Sequence, residues 1–239
     1  MKHSAIIVFA VLFFGVLQAE AERKPEIPAT TGKEMEHEEE EEVAWPEEIP
    51  DYGEQPQAGA KPAKSRENLV DMMVALPIAG EPEIDAEVLQ RFVARHNPDF
   101  PIEIADAYIK VGRRYGIRGD VALCQSILET GWFRFADGTS VTADQHNYCG
   151  LGVIKRGQRG HSFETVEQGV TAQIQHLYAY ACSDPIPEGE QLIDPRFRFV
   201  ARGVAPTWSE LSGRWAANDR YAKSIMKLFI ELREFNAKN

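Results

Sequence analysis

The chain has 239 residues, 44% of them hydrophobic and 10% aromatic, which is enough for one domain of ordinary size with a packed core. Its net charge is −11, and residues 22–66 hold 13 acidic against 6 basic side chains, so the acidity lies mainly near the N-terminus. Because no basic surface is available to follow a phosphate backbone, we expect no nucleic-acid partner.

The first residues have the pattern of a secretory signal peptide. Lys2 and His3 precede an apolar run from Ala5 to Leu17, and Ala19-Glu20-Ala21 matches a small-x-small cleavage site. The run is shorter than the roughly 20 residues that a membrane-spanning helix needs. We therefore predict a signal peptide over residues 1–21 and export to the periplasm, the cell envelope or the exterior. A membrane anchor is the alternative, and no stable membrane insertion is expected.

Residues 22–80 are predicted to form a disordered acidic linker. They contain repeated prolines, the glutamate run Glu38–Glu42 and little spaced hydrophobicity, a composition that cannot bury enough apolar surface to offset chain entropy. The mildly apolar segment from Asn68 to Leu76 has a second interpretation, in which it docks on the folded domain. The folded domain is predicted to occupy residues 81–239.

Cysteine and histidine residues follow no pattern typical of a metal site. Cys124, Cys149 and Cys182 are an odd set with wide spacing, so at most one disulfide can form, and the sequence has no CxxC or HxxxH motif. We expect no metal ion and no cofactor. A cysteine nucleophile is a weaker alternative, since no histidine spacing selects a partner for it.

From Ile84 onward, apolar residues recur at helical spacing. Five helices are predicted from this periodicity and from residues that favour helix ends. These signals are Asp85 as an N-cap, Gly116 as the end of the second helix, Asp120 and Gly131 as the limits of the third, the Thr165/Gln168 capping box of the fourth, and Asn218 or Asp219 before the last.

The helical period disappears between Gly131 and Phe163. Two short runs, Leu151–Ile154 and His161–Phe163, flank a polar stretch, which favours a small β-hairpin. The predicted fold class is therefore α+β, mainly α, with two lobes beside a cleft and a small β-hairpin lobe.

Glu129 is the strongest candidate for chemistry. It lies in the last turn of the third predicted helix, before the aromatic residues Trp132 and Phe133. The partial negative charge of a helix C-terminus and nearby apolar surface both disfavour ionisation of a carboxyl group. A general acid needs that property. The alternative is an ordinary exposed glutamate, although glutamate at this end works against the helix dipole.

Three segments resemble the glucosaminidase family of bacterial peptidoglycan hydrolases. The run ALCQSILETGW, Ala122–Trp132, resembles the family's catalytic helix, and NYCGLG, Asn147–Gly152, is similar to its Asn-aromatic-x-Gly-apolar-Gly stretch. Tyr221 falls where the family has a tyrosine beside the cleft. The similarity spans about residues 84–236.

The resemblance implies a lysozyme-like fold and hydrolysis of the β-1,4 bond on the reducing side of N-acetylglucosamine in peptidoglycan glycan strands. It implies that Glu129 is the general acid and that Tyr221 positions or stabilises the reacting sugar. A monomer is expected. The residues expected to contact the sugars are Trp132, Phe133, Asp144, Gln145, Asn147 and Tyr148. Trp208 and Trp215 are expected mainly in the core.

A second catalytic carboxylate is not evident. Some family members carry a glutamate in the β-lobe, but residues 148–162 contain no Asp or Glu. The candidates are Asp137, Asp144, Glu164 and Glu167, with Asp144 preferred among them. Assistance by the substrate's N-acetyl group removes the need for a protein nucleophile, and we favour that route over a second carboxylate. The competing functions are a lytic transglycosylase and a non-catalytic glycan-binding envelope module.

Overall fold

The computed structural model describes residues 63–136, 139–153 and 158–238, and of residues 63–65 only the backbone. The predicted signal peptide and residues 22–62 of the predicted linker lie outside this part of the chain. The helices are α1 (Ala63–Met73), α2 (Ala86–Ala94), α3 (Ile102–Tyr115), α4 (Gly119–Thr130), α5 (Val166–Ala181) and α6 (Tyr221–Lys238). Within the described residues, no helix is both long and apolar enough to cross a membrane.

Helix α3 lies at the centre of the fold and packs against α2, α4 and α5, while α6 packs against α1, α2 and α4. One core connects these helices. Its largest fully buried side chains include Phe92, Tyr108, Trp132, Trp208 and Phe229. The contact between α4 and α6 brings the last turn of α4 to the first turn of α6, and this is where the candidate site forms.

The predicted helix signals are confirmed at four of the five helices. Asp85 is the N-cap residue of α2, and Gly116 ends α3 with a left-handed φ of 61°. The Thr165 hydroxyl accepts a hydrogen bond from the backbone N–H of Gln168 at 3.1 Å at the start of α5. At the start of α6, the carbonyl of Asn218 accepts from the N–H of Tyr221 at 3.1 Å.

The prediction that Asp120 caps α4 is wrong. Arg118 occupies the N-cap position, and Asp120 is fully buried inside the first turn. Its Oδ2 atom accepts hydrogen bonds from the backbone N–H groups of Glu83 at 2.7 Å and Ile84 at 3.3 Å. The carboxylate therefore accepts hydrogen bonds from the backbone that leads into α2, 36 residues away in sequence. Local sequence rules cannot predict a contact of this kind.

The folded unit includes residues that precede the predicted boundary at residue 81. Val70 of α1 and Ile78 are buried in the core, and α1 packs on α6. The backbone N–H of Ile78 donates to the carbonyl of Pro206 at 2.9 Å, and its carbonyl accepts from Arg118 at 3.1 Å. Residues 63–80 are thus part of the folded unit, and the segment 68–76 docks on it.

The mainly helical class is confirmed, but the predicted β-hairpin is not formed in the described residues. Leu151 and His161 are joined by one backbone hydrogen bond of 2.8 Å, without strands, and residues 154–157 lie outside the described chain. Gly150 and Gly152 have φ angles of 68° and 82°. These left-handed conformations turn the chain and are incompatible with an extended strand.

Gly169 allows α5 to approach the loop that carries the candidate sugar contacts. A Cβ atom at this position would lie 1.7 Å from the carbonyl oxygen of His146. Because that oxygen belongs to the backbone, the backbone would have to move to relieve the clash. Gly169→Ala is expected to lower the free energy of unfolding by about 1–3 kcal/mol, the usual cost of overpacking. Urea unfolding followed by circular dichroism measures it.

Gly189→Ala provides the comparison. A Cβ atom there meets no atom within 4 Å, and only the φ of 85° opposes the substitution. Its expected cost is about 1 kcal/mol. If Gly169→Ala cost no more than Gly189→Ala, close packing of α5 on the loop would not be the reason for the glycine.

Candidate active site

Glu129 and Tyr221, 92 residues apart in the chain, are brought together where α4 ends and α6 begins. The hydroxyl of Tyr221 donates a hydrogen bond of 2.5 Å to Oε1 of Glu129. Glu129 is half-buried, and burial raises the pKa of its carboxyl to about 7, while hydrogen bonds from Tyr221 and Trp215 act in the opposite direction. The carboxyl group is therefore protonated in a large fraction of molecules near neutral pH.

Tyr221 is a neutral hydrogen-bond donor in this site. It is buried, and burial together with the nearby Glu129 raises the pKa of its phenol well above the ordinary value. The side-chain amide of Gln125, one turn before Glu129 on α4, donates to the phenol oxygen at 2.7 Å. The phenol oxygen thus accepts one hydrogen bond and donates another.

Trp215 is a member of the site, although a core position was preferred for it over a position against the sugars. It precedes α6 and is half-buried, and its side chain forms a hydrogen bond with Glu129. The ring of His176 lies edge-on to it with 5.0 Å between centroids. We expected Trp215 in the core, as is found for the fully buried Trp208. No spacing signal distinguishes the two tryptophans, because only the fold places one of them beside the acid.

A buried histidine–carboxylate pair lies behind Trp215. Nδ1 of His176 on α5 is 2.7 Å from Oδ2 of Asp194, and both residues are buried. The other oxygen of Asp194 accepts from the backbone N–H of Arg196 at 2.8 Å. This pair holds the ring of His176, which packs against Trp215 with the two ring planes 78° apart.

The three aromatic residues expected to contact sugars are core residues instead. Trp132 is 1% exposed and stacks on His96 with 3.7 Å between ring centroids. Phe133 packs against Phe100 at 4.7 Å and against Tyr148 at 5.8 Å, and Tyr148 is 2% exposed. Their ring faces are covered by other side chains, so in this conformation they stabilise the end of α4 and do not offer a surface for a sugar.

Gln145 and Asn147 are also buried, and they organise the loop rather than line a cleft. The amide of Asn147 donates to the carbonyls of Leu151 and His161, each at 2.9 Å, and its oxygen accepts from the N–H of Leu151 at 2.9 Å. Gln145 donates to the carbonyl of Gly160 at 2.9 Å. The Asn-aromatic-x-Gly-apolar-Gly stretch is therefore held in place by its asparagine. The side chain of Asn147 bonds backbone groups that would bond to each other in a pair of strands.

Asp144 is the exposed member of the predicted set. Its side chain is 79% exposed and lies 3.7 Å from Arg159, and a hydrogen bond with Thr142 is the main cause that lowers the pKa of its carboxyl. Of the other candidates, Glu167 is exposed and lies 2.7 Å from Arg114, Glu164 is exposed, and Asp137 lies outside the described residues. The structure brings none of the described three into contact with Glu129.

In the part of the chain that the structure describes, no group of three or more His, Cys, Asp or Glu side chains is arranged to hold a metal ion. Cys124, Cys149 and Cys182 are free thiols. Burial raises the pKa of Cys124 and Cys149 well above the ordinary thiol value, so both are protonated and poor nucleophiles at neutral pH.

A protonated glutamate supported by a tyrosine in a mainly helical fold is an arrangement suited to a glycoside hydrolase. Residues 105–234 match the Glucosaminidase family, described as mannosyl-glycoprotein endo-beta-N-acetylglucosaminidase. The chain belongs to this family. The matched range includes Glu129, Trp215 and Tyr221.

A relative in Borreliella burgdorferi, described as an uncharacterized protein, is 36% identical over 157 residues, which cover 64% of this chain and 75% of that protein. Two solved structures are similar at lower levels. Autolysin E of S. aureus, in complex with the muropeptide NAM-L-Ala-D-iGlu, is 11% identical, with 71% of this chain and 78% of that chain covered and a TM-score of 0.41. The catalytic domain of the autolysin Auto of Listeria monocytogenes is 17% identical, with 74% and 98% covered and a TM-score of 0.37.

Proposed function

We propose that the protein hydrolyses β-1,4 bonds of N-acetylglucosamine in peptidoglycan glycan strands, with Glu129 as general acid. The observation that carries the proposal is the half-buried carboxyl of Glu129, which accepts a hydrogen bond from a neutral tyrosine and whose burial raises its pKa to about 7. Such a group delivers a proton to a leaving oxygen near neutral pH. Family membership supplies the glucosaminidase specificity, and the peptidoglycan substrate follows from the resemblance of the motifs.

The proposed reaction needs no second protein carboxylate. Glu129 gives its proton to the glycosidic oxygen while the acetamido oxygen of the substrate forms a bond to the anomeric carbon, and the leaving sugar departs. Water then attacks the anomeric carbon, Glu129 takes up the proton of the water, and the acetamido group is released. The exposed, ion-paired positions of Asp144 and Glu167 support this route over one that uses either as nucleophile.

Activity is expected to fall as the pH rises through about 7, because that is where Glu129 loses the proton that it must donate. Activity falls and does not rise with pH because Glu129 acts as an acid, and an acid whose pKa is raised stays protonated to a higher pH. Measurement of kcat/KM between about pH 5 and pH 9 locates the pH range in which activity falls, the descending limb of the pH profile. Full activity maintained well above pH 8, with no descending limb, would exclude Glu129 as an acid with this pKa.

Product analysis tests the reaction type. Purified peptidoglycan is incubated with the mature chain, and the soluble fragments are examined by mass spectrometry, with Glu129→Gln beside the wild type. Fragments with N-acetylglucosamine at the reducing end, produced only by the wild type, are expected. Anhydromuramic ends would identify a lytic transglycosylase. Binding to peptidoglycan without fragments from either protein would identify a non-catalytic glycan-binding module.

We further propose that the protein is exported by a signal peptide at residues 1–21, with a linker that ends near residue 62, and acts as a monomer at the cell envelope. The sequence pattern of the first 21 residues and the proposed envelope substrate support this location.

A further inference from the structure

A chain of buried side chains leads from the candidate acid into the core. Gln125 on α4 donates to Tyr221 at 2.7 Å, and its oxygen accepts from Nε2 of Gln173 on α5 at 2.9 Å. Gln125 and Gln173 are both fully buried. We call Gln173, Gln125 and Tyr221 the amide relay. It joins three helices and ends on Oε1 of Glu129.

The direction of every hydrogen bond in the relay is determined by a backbone carbonyl. Nε2 of Gln173 lies 3.2 Å from the carbonyl oxygen of Ala122, which can only accept, so turning the amide would place its oxygen against that carbonyl oxygen. In the observed orientation, Oε1 of Gln173 is an acceptor for the hydroxyls of Tyr108 at 2.6 Å and Ser126 at 2.9 Å, which lie 2.6 Å from each other and share two hydrogens among the three contacts. All polar atoms of this amide are then matched to partners of the correct type.

The orientation of Gln173 determines the rest. Its second N–H meets Oε1 of Gln125, so the nitrogen of Gln125 must face Tyr221, since the reverse orientation would place two donors 2.9 Å apart. The phenol oxygen of Tyr221 therefore accepts from Gln125, and its single hydrogen has one remaining partner, Oε1 of Glu129. The hydrogen on Tyr221 cannot point into the core.

We propose that Gln125 and Gln173 are positioning residues that orient the acid, because the amide relay forces the Tyr221 hydroxyl to donate to Oε1 of Glu129 and thereby places the transferable proton on Oε2. Oε1 accepts from Tyr221 in both protonation states, and the hydrogen bond from Trp215 to the carboxyl group does not pass through the relay. A general acid whose proton has one defined position is oriented for transfer before the substrate binds. The catalytic role of Gln125 and Gln173 rests on the proposed function, whereas the orientation of the Tyr221 hydroxyl by the relay does not.

The titration of Glu129 reports whether the relay acts. The hydrogen bond from Tyr221 stabilises the carboxylate, so losing it raises the pKa of Glu129 further. Tyr221 and Cys149 are titratable groups that interact electrostatically with Glu129, and the pKa values of both are raised well above their ordinary ranges. Both stay neutral near pH 7, so a shift in the titration there is a change at Glu129 itself.

Gln173→Met is the decisive variant, because it keeps the volume of the side chain, removes the anchor of the relay and touches neither Glu129 nor Tyr221. Gln125 is then free to accept from Tyr221, and the phenol donates to Glu129 less often. NMR titration of the glutamate carboxyl carbons in the mature chain, with the Glu129 signal assigned by Glu129→Gln, should show its pKa raised by about 0.5 to 1 unit. The descending limb of kcat should move upward with it, and kcat at its plateau should fall several-fold.

Two variants bracket this result. Tyr221→Phe removes the donor altogether and should give an upward shift at least as large as Gln173→Met. Tyr115→Phe is the matched control, because Tyr115 is a tyrosine whose hydroxyl likewise accepts from a buried glutamine, Gln175 of α5, at 2.7 Å, outside the relay. It should lose comparable stability and leave the titration of Glu129 in place.

An unchanged titration of Glu129 in folded Gln173→Met would overturn the proposal, as would an equal shift in Tyr115→Phe. Failure of the proposed function gives a different result from failure of the relay. Glu129→Gln would then retain activity, while the NMR titration of Glu129 would still shift in Gln173→Met. If Gln173→Met does not fold, Gln173→Leu removes the same anchor while Gln125 keeps its freedom to turn, with the same expected direction.

Discussion

Glu129→Gln is expected to lower kcat on peptidoglycan by about 10²- to 10⁴-fold, the usual contribution of a positioned general acid. The amide has nearly the same shape as the carboxyl and can still accept the hydrogen bond from Tyr221, but it has no proton to give. The loss should appear in kcat with little change in KM, because the proton transfer stabilises the transition state and not the bound substrate. Release of reducing ends measures it.

The folded state provides the control for this variant. Burial raises the pKa of Glu129 to about 7 from an ordinary value of 4.5, so its wild-type contribution to stability is present at low pH and is lost as the pH rises through 7. Glu129→Gln has no charge to bury and should be at least as stable as the wild type at pH 8. Glu87→Gln, an exposed glutamate of α2, should change neither activity nor stability. A turnover for Glu129→Gln near that of the wild type would remove Glu129 from the mechanism.

Removal of residues 63–80 is expected to cost about 3 kcal/mol or more of the free energy of unfolding. Val70 and Ile78 are buried in the core, and each such side chain contributes roughly 1.5–3 kcal/mol when buried. The deletion also leaves the carbonyl of Pro206 and the N–H of Trp208 without the partners that Ile78 and Leu76 provide. Urea unfolding of fragments 63–239 and 81–239 measures the difference.

Two point variants show whether packing is the cause. Ile78→Ala should lose about 2–5 kcal/mol, the range found for buried isoleucine. Met72→Ala, on the exposed side of α1 with 75% of its surface accessible, should lose little. Equal stability of the fragments 81–239 and 63–239 would show that α1 and the chain after it do not stabilise the domain.

Local physical chemistry was sufficient to predict most of the described helices and to mark Glu129 as the candidate acid. The 3.6-residue periodicity of apolar side chains, with glycine at positions of positive φ such as Gly116 and Gly131, predicted five of the six helices and their ends to within a few residues. Glu129 was predicted for the same kind of reason, since its helix end and its apolar neighbours are neighbours in sequence. In the described residues around 148–163 the predicted hairpin is not formed, because Gly150 and Gly152 adopt left-handed conformations where a strand needs extended chain.

Long-range packing decided everything else about the site. The sequence showed that aromatic residues follow Glu129 but not which of them would be covered, and the fold buries Trp132 while it brings Trp215 to the carboxyl. Gln125 and Gln173 have no local pattern that marks them, because their function depends on hydrogen bonds between α4, α5 and α6 over 48 and 96 residues of chain. A sequence read along the chain determines periodicity and helix ends, which depend on near neighbours. Burial, and with it the pKa of Glu129 and the direction of its hydrogen bonds, is decided only when distant segments pack together.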